Sequence, residues 1–176
     1  MMTPIISPSS LGRFAAGALF ALAVLFFGFA ALAAELPALT GRVVDNANII
    51  DPAAEAALTQ KLADFETKGS DQIVVATIPS LDGEEIEPYA NRLFRFWKLG
   101  QAKENNGVLL LVAPNERRVR IEVGYGLEKT LSDPRARAII DRDILPAFRA
   151  GNLPGGIIAG AAGITQTLEP AGAKAT

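Results

Sequence analysis

The chain of 176 residues contains no cysteine and no histidine. Without them there is no thiol nucleophile, no imidazole base, and no thiolate or imidazole metal ligand. Zinc, haem and iron–sulfur chemistry are excluded with them, and no disulfide can form. Excess charge of either sign is missing too: 17 basic residues face 19 acidic ones. No basic footprint for nucleic acid follows from that balance. What remains for chemistry is carboxylates, amides, hydroxyls, Arg, Lys and the backbone.

One long apolar run is present, at the N-terminus. Residues 1–13 are polar with a single positive charge, Arg13, and residues 14–32 are almost wholly Ala, Leu, Phe, Val and Gly. Ala33, Ala34 and Glu35 follow. That order is the n-region, h-region and cleavage site of a secretory signal, with Ala31-Leu32-Ala33 as the A-x-A site. The run is also long enough to stay in a bilayer as an N-terminal anchor. Residues 1–33 are therefore read as a signal peptide, or a retained anchor. The protein is expected in the periplasm or on the outer face of the cytoplasmic membrane. Residues 34–169 make one domain, and the short polar stretch 170–176 reads as a disordered tail.

Within the domain, residues 42–45 read as a short strand. Asp51-Pro52 is a helix start, followed by Ala54, Leu58, Leu62 and Phe65 at helical spacing and stopped at Gly69. The run 72–78 (QIVVATI) is apolar without alternation, as in a strand covered on both faces. Ile86, Tyr89, Ala90, Leu93, Phe94 and Trp97 repeat with helical period, and Gly100 ends that helix. Residues 108–113 (VLLLVA) form a second two-faced strand. Turn chemistry at 114–117 leads to strict alternation over 118–123, so 108–123 is a β-hairpin. Asp133-Pro134 repeats the helix-start signal, and Pro146 should kink or end that helix. Asn152 opens a last helix whose Gly156, Gly160 and Gly163 point to close approach of a neighbour. The order β-α-β-α-β-β-α-α implies a three-layer α/β/α sandwich on a mixed sheet of about four strands.

Strand directions locate a site. Helical crossovers make the strands at 72 and 108 parallel, and the hairpin makes the next one antiparallel. Asp71, Asn105, Asn106, Gly124, Gly126 and Glu128 should then meet at one end of the sheet, with Asp133 close by. As metal ligands Asp71, Asn106, Glu128 and Asp133 offer only oxygen, which suits Ca²⁺ or Mg²⁺. Asn105, Gly124 and Gly126 could hold a ligand, and the two glycines could cradle an anion with backbone N–H groups. No dinucleotide fingerprint or Walker A sequence occurs, so no nucleotide is expected. Plainer readings compete: Asn-Asn-Gly as ordinary loop, the glycines as suppliers of positive φ, and Asp133 as a helix cap. Asp45 closes an apolar strand and needs a partner. Arg117, Arg118 and Arg120 read as a charged face protecting an edge strand.

Residues 41–45 (GRVVD), 72–77 (QIVVAT), 96–100 (FWKLG), 105–111 (NNGVLLL), 120–128 (RIEVGYGLE) and 146–151 (PAFRAG) together resemble the TPM domain family, in the same order and over most of residues 36–168. The resemblance implies an α/β/α sandwich. Plant relatives reside in the thylakoid lumen, with a link to photosystem II repair, acid phosphatase activity and calcium binding. Bacterial relatives are exported and often membrane-tethered. Carried over by position, the family's polar pocket would use Asp45, Asn105, Asn106, Gly124, Gly126, Glu128 and Asp133. Two functions are expected. One is a binding or assembly factor of the envelope with a Ca²⁺ site, its partners being envelope or membrane proteins. The other is a metal-assisted acid phosphatase, with Asp45 and Asp133 as catalytic carboxylates in the same pocket. A structural module whose hairpin edge pairs with a partner is a third.

Overall fold

A computed structural model describes residues 36–169. The expected leader at 1–33 and tail at 170–176 lie outside the described residues.

Four strands form one sheet in the order β1 (Val43–Asp45), β2 (Gln72–Thr77), β3 (Gly107–Ala113) and β4 (Arg118–Val123). β1, β2 and β3 run parallel, and β4 pairs antiparallel to β3. Helix α1 (Pro52–Gly69) crosses from β1 to β2, and α2 (Ile86–Phe96) crosses from β2 to β3. After β4 come a 3₁₀ turn at Tyr125–Leu127, α3 (Asp133–Ile139), a π-helical turn (Ile140–Ile144), α4 (Leu145–Arg149) and α5 (Leu153–Leu168).

The period-two alternation of β3 divides the core. Val108, Leu110 and Val112 pack on one face with Leu58 and Leu62 of α1, Ile139 of α3 and Ile157 of α5. Leu109, Leu111 and Ala113 pack on the other with Tyr89, Ala90 and Leu93 of α2. All seven residues of β3 are buried, as a strand covered on both faces requires. The sandwich is unequal, because α2 is the single described helix on one face. Trp97 completes that layer, and its indole N–H donates to the Pro37 carbonyl at 2.7 Å.

Some local expectations hold and others shift by a residue. Asp51 caps α1 by accepting from the Ala54 N–H at 3.0 Å. The left-handed residue that ends α1 is Ser70, at φ 66°, and Gly69 is the last helical residue. Ser132, not Asp133, occupies the N-cap of α3; Asp133 is its first helical residue, where a carboxylate still faces the positive helix end. Pro146 does not end its helix. The backbone widens into the π turn just before it, which gives room to a ring that has no N–H to donate, and α4 continues beyond. The glycines of α5 do permit close approach: a Cβ at Gly156 would lie 2.6 Å from Phe148 Cδ1, and one at Gly163 2.6 Å from Asp143 Oδ2. No described helix is long and apolar enough to cross a membrane.

Candidate functional site

Parallel order puts the starts of β2 and β3 at one rim of the sheet, and the antiparallel β4 ends there. Asn106 is the centre of this rim. It is a buried polar residue, 4% exposed, and its amide makes three hydrogen bonds. Nδ2 donates to the Ser70 carbonyl at 2.8 Å and to Asp71 Oδ1 at 3.3 Å. Oδ1 accepts from the Gln101 N–H at 2.8 Å. Beside it, Gln72 Oε1 accepts from the Gly100 N–H at 2.7 Å. One amide thus ties the end of the α1–β2 link to the loop after α2.

The glycines serve closeness, not positive φ. Gly124 sits at φ −69°, in ordinary extended backbone. Its N–H donates to the Gly107 carbonyl at 2.8 Å, and that of Gly126 donates to the Asn105 carbonyl at 3.1 Å. A Cβ at Gly124 would overlap the Asn105 carbonyl oxygen, and one at Gly126 the Glu104 carbonyl oxygen. These glycines let the segment after β4 lie directly on the loop before β3. Because both N–H groups already bond to carbonyls, they are not available to cradle an anion.

Asp71, Asn105, Asn106, Gly124 and Gly126 therefore stand together, interlocked through those hydrogen bonds and close contacts. Glu128 directly follows the 3₁₀ turn, exposed; its backbone N–H donates to the Tyr125 carbonyl, and its side chain has no hydrogen bond or ion pair among the described residues. Burial pushes the Asp71 carboxyl above its ordinary range, and the hydrogen bond from Asn106 opposes that shift. Tyr125 stands between the two glycines with 81% of its surface exposed. Neither Tyr125 nor Gln72 was singled out from sequence. The signal for Tyr125 was its place between two glycines that hold the backbone down and leave its ring outside.

Asp45 is elsewhere. It ends β1, so it lies at the opposite rim from Asn106. Its carboxylate accepts from the Thr77 hydroxyl and from the Ile49 and Ile50 N–H groups, the last at 2.8 Å. The partner this carboxylate needs is thus the turn before α1. The expectation that Asp45 shares a pocket with Asn105 and Glu128 fails on strand direction alone. Asp133 lines a groove along β4 with Arg118 and Arg120. At the far rim, Glu116 holds the β3–β4 turn to the loop after β2, accepting from Ser80 Oγ at 2.7 Å and the Leu81 N–H at 3.0 Å.

As a cation site the first rim fits in kind, since its donors are hard oxygens. In charge it is poor. Asn106 is spent on backbone, Asp71 is tied to Asn106, and no three acidic side chains gather among the described residues. Glu128 and the exposed Asn105 are the side chains left to meet an ion.

A mixed four-stranded sheet with helices on both faces, and a locked rim of amide and glycine, defines an α/β sandwich. The chain belongs to the TPM domain family, whose model matches residues 43–167. It is similar to the solution structure of the N-terminal domain of a P. gingivalis protein. That likeness has 35% identity, covers 73% of this chain and 82% of that one, and has a TM-score of 0.69. An N-terminal domain from Corynebacterium glutamicum has the same fold at 17% identity, covering 78% and 86%, with a TM-score of 0.58. So does the BA42 protein of Bizionia argentinensis, at 24% identity, covering 68% and 81%, with a TM-score of 0.59. No curated protein matches the chain.

Proposed function

We propose that this TPM domain is a binding or assembly factor of the cell envelope, engaging its partner at the rim of Asn105, Tyr125 and Glu128. The observation that carries the reading is the contrast within that rim. Asn106, Gly124 and Gly126 are consumed in holding it rigid, while Tyr125, Asn105 and Glu128 are left outward. A rigid platform with an exposed aromatic and a free carboxylate suits recognition, and it lacks a paired nucleophile and base. The envelope location rests on the signal-like order of residues 1–33.

Ca²⁺ binds at this rim through Glu128 and Asn105, with backbone carbonyls and water completing the shell. A site of such low charge belongs with the weak extracellular class, with a Kd of about 10⁻⁴–10⁻³ M. Phosphoester hydrolysis has less support, because Asp45 is engaged by the turn it caps and lies away from the rim. Calcium titration followed by amide chemical shifts tests the reading. Saturable shifts at Asn105 and Gly126, weakened in Glu128→Ala, are expected. Absence of any shift at these residues in several millimolar Ca²⁺ removes the ion from the proposal. Shifts there with envelope extract, lost in Tyr125→Ala, test the partner half.

A further inference from the structure

β4 is an edge strand with one neighbour, β3. The Gly124 N–H to Gly107 carbonyl bond marks that pair as hydrogen-bonded. Alternation along the antiparallel ladder then turns the N–H and C=O groups of Val119, Ile121 and Val123 away from β3. No described backbone group outside the sheet takes them up. The edge is thus a template for one more strand.

A groove of about 340 Å³ follows this edge. Arg118 and Arg120 line it from the α2 face of the sheet, Arg120 in an ion pair with Glu122 at 3.1 Å, while Ala136, Ile140 and Leu145 line it from the other face. At the hairpin end it continues into a cleft of about 560 Å³, floored by Leu145, Phe148 and Leu153 and flanked by Arg117 and Arg149. Arg117 and Leu145 line both cavities, and no acidic residue lines the second. Arg117, Arg118 and Arg149 have no carboxylate partner among the described residues. The acids of the groove, Glu87, Asp133 and Asp141, line only the first cavity.

We propose that this groove binds the extended C-terminal segment of a partner protein, added antiparallel to β4. Its side chains alternate between acidic and apolar, and its terminal carboxylate meets Arg117 and Arg149. The alternation follows from the walls: a strand laid on β4 turns every second side chain to the arginine face and the rest to Ala136, Ile140 and Leu145. The direction follows from the cleft. It lies at the start of β4, so a guest that ends there runs against β4. A last apolar side chain fills the floor of Leu145, Phe148 and Leu153. A second copy of β4 is a weaker guest, because as an internal strand it brings no terminal carboxylate to Arg117 and Arg149. Arg117, Arg118 and Arg149, which have no carboxylate partner among the described residues, attract an acidic guest.

The test uses an N-terminally labelled hexapeptide, Glu-Val-Glu-Val-Glu-Val, with a free C-terminal carboxylate, followed by fluorescence anisotropy against the full chain. Saturable binding is expected, weakened about tenfold or more by C-terminal amidation. Backbone N-methylation at alternate residues should abolish it, and the Lys-Val counterpart should not bind. Arg117→Gly is the informative variant. Arg117 sits at φ 54°, a conformation glycine adopts freely, so the change removes the guanidinium while relieving the backbone. Binding should fall about tenfold while the denaturation midpoint holds or rises. No saturable binding below about 1 mM overturns the proposal. Equal binding of the N-methylated or amidated peptide also overturns it, as does a β4-mediated dimer in sedimentation.

Discussion

Asn106 reaches across the rim to the backbone carbonyl of Ser70, with Nδ2 donating at 2.8 Å. Together with the bond that Oδ1 accepts from Gln101, this fastens two loops that are distant in sequence. Truncating a buried amide leaves an N–H and a carbonyl without partners, each costing about 1–3 kcal/mol. Asn106→Ala should therefore destabilise the fold by about 3 kcal/mol, read as a lower midpoint in urea with unchanged slope. A loss below about 0.5 kcal/mol would mean that water replaces the amide.

Gly126 admits no side chain. Its missing Cβ points at the Glu104 carbonyl oxygen, which is backbone and cannot swing aside. Gly126→Ala should cost about 1–3 kcal/mol by forcing the two loops apart. It should also move the amide resonances of residues 104–106. Gly69→Ala is the contrast, because nothing lies within 4 Å of a Cβ there. Gly69 lies inside α1, so alanine should be neutral or stabilising.

Asp45 and Thr77 act as a unit. Thr77 is fully buried; its hydroxyl donates to Asp45 and accepts from the Ala47 N–H at 3.0 Å. Asp45→Ala and Thr77→Val should each destabilise by about 1–3 kcal/mol. Thermodynamic coupling of about 1 kcal/mol in the double-mutant cycle is expected, because the sites share a bond. Additive effects would show that each residue serves the turn before α1 separately.

Two carboxylates give the stability opposite slopes with pH. Burial raises the pKa of Asp71 from its ordinary 3.8, so the fold favours its protonated form. That contribution is complete below the ordinary value and is lost as pH rises through the raised one. Hydrogen bonds from Ser80 and the Leu81 N–H lower the pKa of Glu116 below its ordinary 4.5. Its contribution is present above that value and is lost as pH falls through the lowered one. Asp71→Asn should flatten the decline above about pH 4, and Glu116→Gln the loss on the acid side. Urea titrations across that range, with wild type beside each variant, would show it. Slopes identical to wild type in both variants would refute the assignment.

Much of the fold was legible because it rests on short-range regularities. The apolar run of β3 announced burial on both faces, the alternation of β4 announced one apolar and one charged face, and the two crossovers fixed the strand directions; the charged face is half-buried under α2. From these directions the shared rim of Asp71, Asn106 and Gly124 followed. What could not be read was which groups at that rim are spent. Whether Asn106 faces an ion or a backbone carbonyl depends on where Ser70 and Gln101 arrive, and those are contacts across 36 and 5 residues. The far-rim placement of Asp45 needed no such contact, since it follows from the parallel direction of β1; a similarity of motifs set it beside Asn105 in the pocket instead.

The sequence by itself determined the donor chemistry, the strand directions and the family motifs, because composition and periodicity are local properties of the chain. Only the tertiary structure decided which polar groups are consumed and which stay open. It turned the glycines from an anion cradle or suppliers of positive φ into points of backbone contact, and left the β4 edge bare between an arginine-bearing and an apolar wall. The physical reason is that a hydrogen bond or a close approach belongs to two segments at once, and no single stretch of sequence carries both.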